Sequence, residues 1–289
     1  MQGSLALRAG VLWVARSELR VRVRPYDLDG RALGDGFLVP DSARGHCDLR
    51  ALALDLDRRL WLADARAGGL RAFSIFGLEL PGVAGSARAE LDSAGSLGEP
   101  CGVSASGIED DAQILVASAG ARRHALHLIE PARGRVLSLR PEGNPQGRFS
   151  GLAGVCLEGR IALACDRRAG LIQVFRDGEF HYLVRASLSV AFEPNAVALL
   201  ADGRLLVAQA GDASVLLLLG PGGQVLRTLA GSGEEGGCVL EPSAIAVEEG
   251  AEERETRIAV IDCDGDRVQV FALDGRCFGA FPDLPRAAP

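Results

Sequence analysis

An all-β fold is what this 289-residue chain predicts, and three observations carry the prediction. Short alternating or wholly apolar runs are separated by Gly, Asp or Pro turns, and no stretch sustains a helical apolar period over three turns. Six of the runs are one element repeated: VLWVA (11–15), RLWLAD (59–64), QILVAS (113–118), RIALACD (160–166), RLLVAQ (204–209) and RIAVID (257–262). Their leading apolar positions, near Leu12, Leu60, Ile114, Ile161, Leu205 and Ile258, recur every 44 to 54 residues. In an all-β chain a period of that size means one blade per repeat, hence a six-bladed β-propeller of four-stranded antiparallel blades.

Each repeat yields its strands in order. The innermost is often led by proline, as in EPCGVSA (99–105), EPNAVALL (193–200) and EPSAIAV (241–247), a residue tolerated at a strand's start because it cannot donate to a ladder. The repeated run follows as the second strand. The third is LRVRV (19–23), LRAFSI (70–75), LHLI (126–129), LIQVF (171–175), VLLLL (215–219) or RVQVF (267–271). Polar glycine turns such as DLDGRAL (27–33), GPGGQVLRTL (220–229) and ALDGRCFGAF (272–281) lead to a fourth, outer strand; their glycines supply the positive φ of tight hairpins. The blades then occupy approximately 1–45, 46–82, 98–141, 148–186, 192–230 and 240–282, in a single domain over 1–289. With no extra strand at the N-terminus, the first and last blades are expected to pack without a swapped strand.

These repeats resemble NHL repeats, whose blade pattern runs Pro-x-Gly-Ile-Ala-Val, then Val-Ala-Asp, then Arg-Ile-Gln-Val-Phe. Pro242, Ala244, Ile245, Ala246 and Val247 match the first strand, and Asp262 with Arg267-Val268-Gln269-Val270-Phe271 match the rest. Asp166 and Ile172-Gln173-Val174-Phe175 repeat the match one blade pair earlier. Arg16, Ser118 and Gln209 depart from it by replacing the aspartate. The resemblance implies an NHL-like propeller.

Composition narrows the partners. All 31 basic residues are arginine, which points to a GC-rich, bacterial genome, and the net charge of −7 argues against a nucleic-acid partner. No apolar run reaches the ~20 residues that span a bilayer, and Arg8 interrupts the apolar N-terminal stretch, so a cytoplasmic monomer is expected. Seven scattered cysteines, none in a C-x-x-C pair, fit small buried hydrophobes in a reducing compartment. Arg20, Arg22 and Arg24 alternate with Val21 and Val23, which reads as a solvated strand edge. The 83–98 connection and the acidic 231–255 region are the expected exposed contact elements.

Asp262-Cys263-Asp264-Gly265-Asp266 invites a calcium reading, but Arg267 and Leu273 stand where such a loop needs glycine and glutamate. We read it as a turn in which the blade aspartate bonds backbone N–H groups. His124 and His127 lie three apart on a strand, facing opposite sides, so they do not chelate one ion. No catalytic residue, metal site or cofactor is assigned. The candidate ligand site is the channel mouth where the inner strands begin, lined by Arg50, Cys101, Asn195 and Ser243, with Gly151 as the fourth blade's counterpart. Asn195 also resembles the metal-binding asparagine of gluconolactonase-type propellers, which implies a metal-dependent lactonase or hydrolase as the alternative; Ser243 stands where those enzymes carry an aspartate. The expected function is a non-enzymatic scaffold binding a protein partner or a small polar or anionic ligand, with Arg50 supplying charge-assisted hydrogen bonds.

Overall fold

The computed structural model describes residues 3–17, 19–80, 99–119, 124–142, 148–211, 213–262 and 266–281. Six antiparallel sheets follow one another along the chain. The first holds β1 (Gly3–Arg8), β2 (Val11–Ser17), β3 (Val21–Tyr26) and β4 (Phe37–Leu38). The second holds β5 (Leu49–Leu54), β6 (Arg59–Asp64) and β7 (Gly69–Ser74). The third holds β8 (Glu99–Ser106), β9 (Gln113–Ala119), β10 (Ala125–Glu130) and β11 (Arg135–Leu139). The fourth holds β12 (Leu152–Glu158), β13 (Ile161–Asp166), β14 (Leu171–Arg176) and β15 (Glu179–Val184). The fifth holds β16 (Pro194–Leu199), β17 (Leu205–Gln209), β18 (Val215–Leu219) and β19 (Val225–Ala230). The sixth holds β20 (Ala244–Glu248), β21 (Arg257–Asp262), β22 (Arg267–Ala272) and β23 (Cys277–Phe281).

Innermost strands β1, β5, β8, β12, β16 and β20 touch their neighbours in turn, and β20 touches β1, so the ring closes. It closes as expected, with every sheet built from consecutive strands. The core lies between blades, in six apolar clusters that each join two neighbours. The closing cluster sets Leu5, Leu12, Val14 and Tyr26 of the first blade against Ala259, Ile261 and Val268 of the sixth. Both faces of the second strands are therefore covered, which is why RLWLAD and RIAVID read as continuous apolar runs rather than alternations. At the rim, the Phe281 ring of the last blade packs on Gly30 of the first, where a Cβ would lie 2.1 Å from Phe281 Cδ1 and φ is +83°.

Two blades differ from expectation. In the first, the DLDGRAL turn contributes a single bridge between Tyr26 and Ala32, and the fourth strand is the later pair Phe37–Leu38, opposite Val23 and Arg22. The second sheet has three strands among the described residues, with Glu79 bridging Phe73 in the fourth position.

The blade aspartates are wholly buried and act over a longer range than the turn reading implies. Asp64 accepts from turn amides of Arg66 and Ala67 but also from Asp48, ahead of the inner strand. Asp166 accepts from Ser150 and Gly151, and Asp262 from Leu240 and Glu241 while pairing with Arg267 at 2.6 Å. Each carboxylate ties the second strand's end to the chain segment that enters its own blade. Gln209 takes over that task in the fifth blade, where its Oε1 accepts from Glu193 N. Cys263, Asp264 and Gly265 lie outside the described residues.

Candidate functional site at the channel mouth

Near the start of the inner strands the ladder slips by one residue in four blades. Pairing shifts between Leu49 and Ala51, Pro100 and Gly102, Leu152 and Val155, and Pro194 and Ala196. The unpaired residue of a β-bulge is re-aimed out of the ladder. Here those residues include Arg50, Cys101, Ala153 and Asn195, and Ser243 precedes β20 at the same level. All five line one cavity of about 340 Å³, whose deeper wall is formed by residues two places on, among them Leu5, Leu52, Val103, Val155, Val197 and Ile245.

The four expected site residues thus converge, but Gly151 does not join them. Leu152 occupies the blade-proline position in the fourth blade, paired with Asp166, so the channel residue there is Ala153. Gly151 has another use. A Cβ on it would lie 2.8 Å from Arg168 Cγ, so its lack of a side chain makes room for the Arg168 stem.

Two of the lining side chains are engaged with the next blade. Asn195 Nδ2 donates to Pro242 O at 2.9 Å, and Cys101 Sγ lies 3.6 Å from Leu152 O, the equivalent carbonyl one blade on. Burial pushes the Cys101 thiol up to about 11 despite the opposing pull of Arg50, so at neutral pH it is a neutral thiol and a poor nucleophile. Arg50 is exposed and pairs with Asp48 at 3.0 Å. The mouth therefore offers one guanidinium, one amide whose nitrogen is fixed, and the exposed Ser243 side chain. Serines were missed by pattern reading: Ser4 Oγ accepts from Leu52 N at 2.8 Å and Ser104 Oγ from Leu157 N at 2.9 Å, stitching adjacent inner strands. No local motif marks them, because their partners lie in the next blade.

Other expectations are resolved away from the mouth. Most glutamates of the acidic 231–255 region are exposed, Glu234, Glu235, Glu241, Glu252 and Glu255 among them, and three others brace neighbouring segments. Glu248 accepts from Gly10 N, Glu249 from Ala201 N, and Glu253 pairs with both Arg204 and Arg227. Residues 83–98 lie outside the described residues. Val21 and Val23 are buried, whereas Arg22 and Arg24 donate to Asp35 O and Arg20 pairs with Asp41. His127 bonds Ser138 and His46 bonds Asp41. Among the described residues no group of three or more His, Cys, Asp or Glu is placed to hold a metal, and no helix is long and apolar enough to cross a membrane.

The chain matches no known protein-family profile, and no curated protein matches it. Solved structures do. A chain of the nidogen/laminin complex aligns at TM-score 0.62 and 14% identity, covering 96% of this chain and 92% of that one. The WD40 β-propeller domain of Doa1 aligns at 0.60 and 15%, covering 98% and 82%. Virginiamycin B lyase from Staphylococcus aureus aligns at 0.57 and 11%, covering 98% and 84%. The fold is a β-propeller. At such identities the likeness carries nothing further, and the neighbours themselves include both a lyase and a member of a two-protein complex.

Proposed function

We propose that this chain is an NHL-type binding propeller that takes a small anionic ligand at the channel mouth. The observation that carries the reading is the ring of β-bulges, which aims Arg50 and Asn195 into one cavity of about 340 Å³. That volume suits a small molecule, and a single exposed guanidinium suits a carboxylate or phosphate through paired charge-assisted bonds. A binding role is favoured over turnover because the Cys101 thiol is held neutral and the Asn195 amide nitrogen is committed to Pro242. Six free cysteines among the described residues support a reducing, cytoplasmic setting.

The test is calorimetric titration of small carboxylates and inorganic phosphate into the wild type and Arg50→Gln. Binding that falls about tenfold or more in the variant, with an unchanged unfolding transition, is the expected result. Equal binding by both proteins sinks the proposal.

A further inference from the structure

Below its rim, the channel cavity changes from polar to aliphatic. Each inner strand contributes one branched apolar side chain to the deeper wall: Leu5, Leu52, Val103, Val155, Val197 and Ile245, in blade order. Each lies two residues on from its blade's rim position, so the six share one level. The position is aliphatic in every blade because the same side chains also help to close the seams. Leu5 joins the apolar cluster between the sixth and first blades, Leu52 the one between the first and second, and Ile245 packs on the one between the fifth and sixth. Between rim and wall the strands carry only serine, alanine or glycine, so no long side chain separates the two levels.

Charge is confined to the rim. Among the residues lining the cavity, Arg50 is the one with a charged side chain. Several backbone groups along the inner strands are already met by side chains. Leu52 N donates to Ser4 Oγ at 2.8 Å, Pro242 O accepts from Asn195 Nδ2 at 2.9 Å, and Leu152 O lies 3.6 Å from Cys101 Sγ. Covering those groups with hydrocarbon therefore leaves their bonds intact. A charged rim over an apolar wall is matched by one anionic head on a hydrocarbon tail. A compact, multiply charged anion would meet one guanidinium and set its remaining charge against aliphatic side chains, which is costly. The volume of about 340 Å³ stands at the lower end for ligand cavities, so the tail is short.

We infer that the ligand is a short-chain aliphatic monocarboxylate, with its head on Arg50 and its tail against the six-residue wall. This rests on the binding reading above, and the experiment separates the two. Acetate, butyrate and hexanoate, with inorganic phosphate as the tail-free probe, are titrated by calorimetry into the intact protein. Burying one methylene is worth about a fourfold gain in affinity, so each two-methylene step should tighten binding about tenfold. The heat-capacity change of binding should grow more negative along the same series. Ile245→Thr in the sixth blade and Val155→Thr in the fourth place a hydroxyl on the wall. Each should loosen hexanoate about threefold or more and leave acetate unchanged, with the unfolding transition followed alongside. Arg50→Gln should weaken all three carboxylates about tenfold. The chain-length series and the heat capacity are read on the wild type, so neither depends on a variant folding. If acetate and hexanoate bind equally, phosphate outbinds hexanoate, or both threonine variants keep the full chain-length gain, the tail inference fails while the Arg50 reading stands. If Arg50→Gln binds every carboxylate as the wild type does, or no probe binds at millimolar concentration, both fail.

Discussion

Replacing Gly154 by alanine adds one methyl group at the seam between the fourth and fifth blades, directly behind the channel mouth. A Cβ there would lie 2.6 Å from Asn195 O and 2.8 Å from Ala196 Cα. Both are backbone atoms of a neighbouring inner strand, so no rotamer change relieves the contact. Ordinary van der Waals separation requires the strands to part by roughly 1 Å, and overpacking of this kind costs about 1–3 kcal/mol. The displaced carbonyl belongs to the residue whose side chain donates to Pro242, so the perturbation reaches the ligand site as well. Urea unfolding measures the stability change, and titration with the best-binding carboxylate measures the site. Gly69→Ala is the control, because a Cβ at Gly69 meets nothing within 4 Å. Gly154→Ala should fall about 1–3 kcal/mol below the wild type and bind more weakly, while Gly69→Ala stays within about 0.5 kcal/mol. A Gly154→Ala protein as stable as that control would refute the close-approach argument.

Three further outcomes are expected. Asp262→Ala should cost about 3–5 kcal/mol in urea unfolding, since it removes the one carboxylate paired with the Arg267 guanidinium among the described residues and the acceptor for Leu240 and Glu241 N–H; a loss below about 1 kcal/mol would contradict the brace. Hydrogen bonds from Arg204 and Arg227 hold the Glu253 carboxyl below its ordinary value near 4.5. Its contribution is therefore present above pH 4.5 and lost as pH falls through the lowered value, so Glu253→Gln should flatten the stability profile in that acid range and leave it unchanged in shape near neutrality. Cys101, with its thiol pushed up to about 11, should alkylate at pH 8 roughly a hundredfold more slowly than a free thiol, as read by peptide mass spectrometry, and should regain the free-thiol rate in denaturant.

How much of this was legible in the chain depends on how local each signal is. The second strands are legible because burial on both faces demands unbroken apolar runs such as Leu205–Ala208. The mouth residues Arg50, Cys101, Asn195 and Ser243 were found by repeat register, since whatever follows the blade proline falls at the same height in each blade. The fourth blade broke that reasoning: it has no proline, and Leu152 rather than Ser150 fills the position, which shifts the channel residue to Ala153. The acidic 231–255 stretch reads as solvated and most of its glutamates are, but the bracing role of Glu248, Glu249 and Glu253 was not legible, because Gly10, Ala201, Arg204 and Arg227 are brought beside them from other blades.

Periodicity alone determined that this protein is a ring of blades. A sheet covered by neighbours on both faces imposes its pattern on every repeat, and that pattern survives loss of individual signature residues such as the aspartates replaced by Arg16, Ser118 and Gln209. Only the tertiary structure decided which residues meet at the axis and what already occupies them. Closing the ring brings together groups separated by about one repeat each, so that the Asn195 side chain meets the Pro242 carbonyl and the Cys101 thiol the Leu152 carbonyl. Contacts across a blade seam depend on the bulges that slip each inner strand, and a bulge is set by backbone pairing between strands rather than by any residue type that a sequence displays.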